Sequence, residues 1–251
     1  MGFLTGKKIV VMGVANKRSI AWGCAQAITK QGGEVIYTYQ NPRMKKSLQK
    51  MLNEDDFLVE CDVADDDSIK NAFEQIKEYA GQISGVVHAI AYADKADLQG
   101  NVSDISRSGY SLAQDVSAYS LIAVTHYAKP ILAKDSGIVT LTYLGSERAV
   151  PNYNLMGIAK AALESSVRYL AAEMANSQIH VNAISAGAVK TLAVTGVKDY
   201  QKLIQLSQDR TADQMGVTIE EIGNLSAFLV SPLASGLIGD IIYCDKGVHL
   251  S

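Results

Sequence analysis

The 251-residue sequence contains few of the residues that build disulfide-linked or zinc-bound proteins. Its three cysteines, Cys24, Cys61 and Cys244, lie far apart, and they form no paired spacing with histidines. A disulfide framework and a zinc site are therefore not expected. The odd number of thiols fits a reducing compartment.

Long apolar runs are also missing. No stretch approaches the roughly 18 uninterrupted apolar residues that suggest a membrane helix. The first residues, MGFLTGKK, contain neither an apolar signal region nor a small-residue cleavage site. We therefore expect a cytoplasmic protein without a membrane span.

An excess of positive charge is absent as well. The sequence has 23 Lys and Arg against 26 Asp and Glu, a formal net charge of −3, so no summed positive field attracts a phosphate backbone. Nucleic acid is not expected as a partner. Because the chain also has no Pro-rich or Ser-rich linker and no internal repeat, we expect one domain over residues 1–251.

Short β-rich runs alternate with helical patterns along the whole chain. This alternation predicts an α/β fold: a single Rossmann-type domain with helices on both faces of a doubly wound, seven-stranded parallel sheet. The predicted strands are 8–12, 34–39, 57–60, 85–90, 137–142, 180–184 and 240–243. The predicted helices are 19–31, 66–79, 106–133, 154–175 and 218–230. Residues 188–209 break the alternation after a strand end, where such sheets bind ligands, and we expect them to form a substrate lid.

The turn after the first strand, from Gly13 to Gly23, lacks the G-x-G-x-x-G pattern of common dinucleotide-binding folds. Gly13 nevertheless permits a tight turn, and Ser19 places a hydroxyl at the start of the next helix, where the helix dipole favours anions. This arrangement suits a pyrophosphate. It equally suits an ordinary strand-to-helix turn in which Ser19 caps the helix.

Tyr153 and Lys160 are seven residues apart, in a segment that we interpret as the start of a helix after Pro151. Both side chains then project from one helix face, about 10 Å apart along the axis. The same spacing occurs at two other places, Tyr39 with Lys46 and Tyr127 with Lys134. The spacing alone is therefore weak evidence for a catalytic pair.

Several short motifs taken together are far more specific than any one of them. They lie at residues 13–23, 39–41, 61–63, 88–93 (HAIAYA), 143–145, 153–160 (YNLMGIAK) and 182–187. In these motifs the chain resembles the bacterial enoyl-acyl-carrier-protein reductases, a divergent branch of the short-chain dehydrogenase/reductase superfamily. The resemblance implies an NADH-dependent oxidoreductase of fatty-acid elongation that reduces the C2–C3 double bond of trans-2-enoyl-acyl-carrier-protein thioesters.

The resemblance also implies roles for individual residues. Tyr143, Tyr153 and Lys160 are the expected catalytic residues, and Ala93 is expected to contact substrate. The expected cofactor-binding residues are Gly13, Ser19, Ile20, Gln40, Asp62, Val63, Ile90, Lys160, Val189, Lys190, Thr191, Leu192 and Ala193. No metal is expected, because the four histidines are scattered along the chain. Without the resemblance, Asp62 suits a turn after a strand, and Tyr143 suits packing at a strand end.

The catalytic pattern differs from that of carbonyl-reducing members of the superfamily, which use Tyr-x3-Lys with a serine further upstream. No Tyr-x3-Lys occurs in this chain, and Met156 and Tyr143 occupy those two positions. In an enoyl thioester the hydride goes to C3, while negative charge develops on the oxygen at C1. A tyrosine one helical turn earlier, at position 153, suits this greater distance.

The residue at the end of the second strand bears on the choice of nicotinamide. An acidic residue there binds the ribose 2′-hydroxyl, and a basic one favours a 2′-phosphate. Gln40 brings no charge, so we expect NADH. Arg43, Lys45 and Lys46 follow closely and leave NADPH as the alternative.

Two other functions remain open from the residues. A carbonyl-reducing dehydrogenase of the same superfamily is disfavoured by the missing Tyr-x3-Lys. A regulatory module that binds a dinucleotide without catalysis is disfavoured as well. Such a module would not require Tyr153 and Lys160 on the same face of a helix, whereas an enzyme would. Turnover of an enoyl thioester distinguishes the enzyme from both.

The resemblance further implies an acyl carrier protein as partner and a homotetramer packed through helices 106–133 and 154–175. Because the carrier protein is acidic, we expect it to dock near Lys190, Lys198 and Lys202. The chain has Ala188 and Ala212 where relatives commonly have proline. Loss of proline increases the entropy of the unfolded chain and loosens the expected lid.

Overall fold

The structure, a computed structural model that describes residues 2–191 and 200–250, contains a seven-stranded parallel sheet. The strands are β1 (Lys8–Met12), β2 (Glu34–Tyr39), β3 (Phe57–Glu60), β4 (Ile83–His88), β5 (Leu132–Thr142), β6 (Ile179–Ala186) and β7 (Ile241–Cys244). Their order is β3-β2-β1-β4-β5-β6-β7, and all neighbours are parallel. Strands β1 to β3 are added towards one edge of the sheet, and strands β4 to β7 towards the other edge. This change of direction leaves a crevice between the carboxyl ends of β1 and β4. The predicted α/β fold is confirmed.

Helices connect the strands and cover both faces of the sheet. They are α1 (Ile20–Lys30), α2 (Pro42–Gln49), α3 (Asp66–Ala80), α4 (Lys95–Leu98), α5 (Arg107–Gln114), α6 (Ser120–Ala128), α7 (Asn154–Met174), α8 (Tyr200–Arg210) and α9 (Ile219–Leu229). Within residues 2–191 and 200–250, no helix is long and apolar enough to cross a membrane.

Alternate residues of β1 face opposite sides of the sheet. Val10 packs into the apolar cluster shared with α3, α6 and α7, whereas Ile9 and Val11 pack with α1 and α9. Burial on both faces explains why the central strands are almost continuously apolar. The core therefore holds the carboxyl ends of the strands rigidly at one edge.

The single helix predicted over 106–133 is wrong in its interior and at its C-terminal end. A π-helical turn, Asp115–Tyr119, separates α5 from α6, and β5 already begins at Leu132. Ser120 Oγ donates to the Val116 carbonyl oxygen at 2.7 Å, and such bonds compete with the regular helical pattern. Pro130 then lacks the N–H that a continuing helix requires.

Candidate active site

The turn after β1 passes close to the residue that follows β4. Gly13 has a φ of +86°, and a Cβ there would overlap the carbonyl oxygen of Ala89, so only glycine fits. Ser19 is the N-cap of α1, and its Oγ accepts from Trp22 N at 3.2 Å. Because the first N–H groups of a helix have no helical partner, the start of α1 supplies donors beside the crevice.

The carboxyl ends of β2 and β3 bring Gln40 and Asp62 together. Gln40 Nε2 donates to Asp62 Oδ2 at 3.3 Å. Asp62 Oδ1 also accepts from Ala64 N at 3.1 Å, so the carboxylate stabilises its own turn as well. Val63 is buried beside it. Three of the expected cofactor-binding residues, Gln40, Asp62 and Val63, therefore form one compact group at the edge of the crevice.

Tyr143 and Tyr153 lie against one another, with ring centroids 4.9 Å apart. Tyr143 follows β5, and Tyr153 is the residue directly before α7. Both are half-buried, and neither hydroxyl has a hydrogen-bond partner among the described residues. Burial raises the pKa of both phenols, so both are protonated donors at neutral pH.

Lys160 lies on α7 and is only 5% exposed. Its Nζ donates to the Leu141 carbonyl oxygen in β5 at 2.7 Å. Burial lowers the pKa of the amine to about 8, and the nearby Glu164 carboxylate opposes that shift. An ammonium has three donors, so the bond to Leu141 leaves donors for a ligand.

Gly145 is a site residue for which the sequence reasoning assigned no role. A Cβ at Gly145 would overlap the ring of Tyr153, and a Cβ at Gly157 would meet the Gly145 carbonyl oxygen. The loop after β5 is therefore in close contact with the start of α7. Gly145 is the last residue of the motif at 143–145, so the motif already pointed to this glycine.

The loop after β4 carries Ile90 and Ala93. Ala93 is buried and packs in a cluster with Met156 on α7, against which Tyr153 also packs. Ser117, from the π-helical turn, fixes this loop at Tyr92: its Oγ accepts from Tyr92 N and donates to Tyr92 O, both at 2.9 Å. The predicted substrate residue and the two tyrosines thus share one region.

The segment after β6 is described only in part. Val189 is half-buried, Lys190 is exposed and Thr191 is buried, with Thr191 N donating to Val189 O at 2.8 Å. The predicted cofactor residues Leu192 and Ala193, and Lys198 of the expected carrier-protein dock, lie outside the described residues. The second half of the predicted lid contains α8.

The described residues contain no group of His, Cys, Asp and Glu side chains that could hold a metal ion. His88 is fully buried between Thr140 Oγ1 at 3.0 Å and Ser120 Oγ at 2.9 Å. Burial lowers its pKa to about 3, so it is neutral at physiological pH. Like His180, which contacts the Leu229 carbonyl oxygen, it is a structural histidine.

These groups fit a dinucleotide laid across the ends of the strands. The glycine turn and the start of α1 suit a pyrophosphate, the Gln40 and Asp62 pair suits an adenosine, and the Lys160 ammonium suits ribose hydroxyls. The tyrosine pair lies at the end of β5, on the other side of the switch point. Hydride chemistry on a neighbouring substrate is compatible with this arrangement.

Comparison with known sequences agrees with this geometry. Residues 13–249 match the family model for enoyl-(acyl carrier protein) reductase. The chain belongs to this family. It is 69% identical to the NADH-dependent enoyl-[acyl-carrier-protein] reductase FabI of Enterococcus faecalis, over 99% of this chain and 100% of that protein. It is 43% identical to the reductase of Staphylococcus aureus, which is named for NADPH, over 98% of each chain.

Solved structures of the family have the same fold. The enoyl-acyl carrier protein reductase of Bacillus cereus, crystallised with NADP⁺ and indole naphthyridinone, superposes with a TM-score of 0.96 at 44% identity, over 100% of this chain and 99% of that one. The NADH enzyme of Aquifex aeolicus superposes with a TM-score of 0.97 at 41% identity, with the same coverage.

Proposed function

We propose that the protein reduces the C2–C3 double bond of trans-2-enoyl-acyl-carrier-protein thioesters with NADH, in fatty-acid elongation. The observation that carries the proposal is the packing of two protonated tyrosines, Tyr143 and Tyr153, beside the element that holds the buried Lys160. When bound, the nicotinamide would supply the hydride for C3, and a proton from solvent at C2 would complete the reduction. Family membership supports the same reaction.

Tyr153 donates a hydrogen bond to the thioester carbonyl oxygen. That oxygen gains negative charge as the hydride reaches C3, so the bond strengthens in the transition state and accelerates the reaction. Tyr143, in contact with the Tyr153 ring, positions the thioester. Ala93 contacts the substrate from the loop after β4.

Lys160 binds the nicotinamide ribose hydroxyls through the donors that Leu141 leaves free. Its positive charge also favours donation by Tyr153. The remaining cofactor-binding residues are Gly13, Ser19, Ile20, Gln40, Asp62, Val63, Ile90, Val189, Lys190, Thr191, Leu192 and Ala193. Metal has no part in this mechanism.

The contact between Gln40 and Asp62 supports NADH over NADPH. A 2′-phosphate placed at Gln40 would meet the negative carboxylate of Asp62 without a compensating charge from Gln40. The family contains relatives named for either cofactor. If NADPH were bound, the exposed Arg43 and Lys45 on α2 are the cations that would pair with its 2′-phosphate.

We further propose that the protein binds the acyl carrier protein that carries the enoyl substrate, that it assembles as a homotetramer, and that it acts in the cytoplasm. Ile122 on α6 and Tyr169 on α7 are 39% and 79% exposed, an apolar surface that suits packing against another subunit. Residues 188–209 form the substrate lid. Arg210, at the end of α8, lies close enough to Tyr143 to act on it electrostatically, which supports a position of α8 near the tyrosine pair.

The proposal is tested by mixing purified protein with NADH and a short trans-2-enoyl thioester and following NADH absorbance. Saturation of the double bond, verified by mass spectrometry of the product, is the expected result. Rapid reduction of a β-ketoacyl thioester without enoyl turnover would instead indicate a carbonyl reductase. Cofactor binding without turnover of either substrate would indicate a dinucleotide-binding regulator.

A further inference from the structure

Glu164 is a buried carboxylate for which the mechanism above has no role. Among the described residues, only three lysine, arginine, aspartate or glutamate side chains are buried: Lys160, Glu164 and Asp245. Asp245 pairs with His249 at 2.9 Å. Burying a carboxylate is costly unless its charge is compensated. The position of Glu164, one helical turn after Lys160 on α7, suggests what it does.

The two α7 side chains are held by consecutive residues of β5. Lys160 Nζ donates to the Leu141 carbonyl oxygen at 2.7 Å, and Thr142 Oγ1 donates to Glu164 Oε1 at 2.5 Å. Both anchors are themselves almost fully buried. The lysine and the carboxylate are therefore fixed relative to one another by the same stretch of strand.

Among the residues that the structure describes, the other titratable groups that act electrostatically on Lys160 or Glu164 carry no negative charge at neutral pH. His88 from β4 is neutral because burial lowers its pKa to about 3. Tyr143 and Tyr153 are protonated, and burial with a hydrogen bond to Glu147 raises the pKa of Tyr243 in β7 to about 12. Glu164 is thus the anion that acts on Lys160, whose pKa burial alone would lower further than to about 8.

We propose that Glu164 is a positioning residue whose carboxylate, held by Thr142, keeps the buried Lys160 side chain in the ammonium form that binds the cofactor ribose. The proposal rests on the function put forward above, because it gives Glu164 a role only through Lys160. Glu164 itself touches neither substrate nor cofactor. Its loss makes Lys160 release its proton at a lower pH, since burial disfavours the charged form.

The direct test measures the protonation of Lys160 in the protein without cofactor. Lysine side chains are labelled with ¹³C at Cε, the Lys160 resonance is assigned with Lys160→Met, and its shift is followed from pH 6 to 10. We expect Glu164→Gln to lower the midpoint by about one pH unit or more. Glu74→Gln, which changes an exposed glutamate on α3, should leave the midpoint where it is in the unmodified protein.

A second measurement follows NADH affinity by fluorescence across the same pH range. Glu164→Gln should bind NADH almost as well as the unmodified protein at pH 6 and up to about tenfold more weakly at pH 8.5. An unchanged Lys160 midpoint, or a loss of affinity that is equal at all pH values, would show a merely structural role and overturn the proposal.

Variants of the anchor keep the test decisive if Glu164→Gln does not fold. Thr142→Val removes the hydrogen bond to the carboxylate and should lower the Lys160 midpoint, whereas Thr142→Ser keeps the hydroxyl and should restore it. A midpoint unaffected by Thr142→Val in a folded protein would also overturn the proposal. Neither the titration nor the NADH binding requires turnover, so a failure of the enoyl reductase function would be recognised separately.

Discussion

The ring of Tyr153 meets the ring of Tyr143 edge to face, at a centroid distance of 4.9 Å and an interplanar angle of 73°. The contact joins the loop after β5 to the start of α7, two elements that the chain connects only through residues 144–152. Both hydroxyls are protonated, and both are free to donate within the described structure. Kinetics of the single variants separates their roles.

Tyr153→Phe should lower kcat for enoyl thioesters by about 10²-fold to 10³-fold with little change in KM. The thioester oxygen is nearly neutral in the ground state and becomes negative only as hydride arrives, so the lost bond matters mainly in the chemical step. Steady-state kinetics with a short trans-2-enoyl thioester measures this.

Tyr143→Phe is the matched control and should act more on KM than on kcat. If Tyr143→Phe abolished turnover while Tyr153→Phe left it intact, the roles of the two tyrosines would be reversed. If neither change affected enoyl reduction, stabilisation of an enolate by tyrosine would be the wrong mechanism.

Gly145→Ala should displace the tyrosine pair while leaving both phenol hydroxyls chemically unchanged. The added Cβ would overlap the ring of Tyr153, and overpacking of this kind costs about 1–3 kcal/mol. We expect a lower melting temperature and a kcat reduced about tenfold or more, as Tyr153 is displaced. Gly236→Ala is the control, because a Cβ at Gly236 has nothing within 4 Å. Equal kinetics for both variants would show that Gly145 does not position Tyr153.

Lys160→Met should weaken NADH binding about 10-fold to 100-fold, the effect of losing a charge-assisted hydrogen bond. In the unmodified protein, affinity should fall as the pH rises through about 8, where the buried amine loses its proton. The methionine variant should lack this pH dependence. Fluorescence titration across pH 6 to 10 tests both, and an unaltered affinity in the variant would place the ribose elsewhere.

Gln40→Arg should shift the ratio of kcat/KM values towards NADPH by about tenfold or more, because an arginine can pair with a 2′-phosphate. Gln40→Met removes the hydrogen bond to Asp62 and adds no charge. It should therefore lower kcat/KM for NADH without raising kcat/KM for NADPH. A preference for NADPH in the unmodified protein would instead bring Arg43 and Lys45 into the phosphate site.

Several elements were predictable because their signals are local. The bounds of β1, β2 and β3 agree with the predicted strands, and α1 differs from its prediction by one residue at each end. Apolar runs bounded by glycine, asparagine or aspartate are sufficient for this. The break between α5 and α6 was not predictable, because the Ser117 that lies there binds the backbone of Tyr92, a residue distant in sequence.

The sequence by itself determined that Tyr153 and Lys160 lie at one end of α7, that Met156 and Tyr143 replace the carbonyl-reducing pattern, and that Gln40 is neutral. These are properties of residue identity and spacing within one element. Only the tertiary structure decided that Gln40 contacts Asp62 and that Thr142 holds Glu164 beside Lys160. Such pairs join different elements, so they depend on the order of the strands and on the packing of α7 against β5, neither of which is written in local spacing.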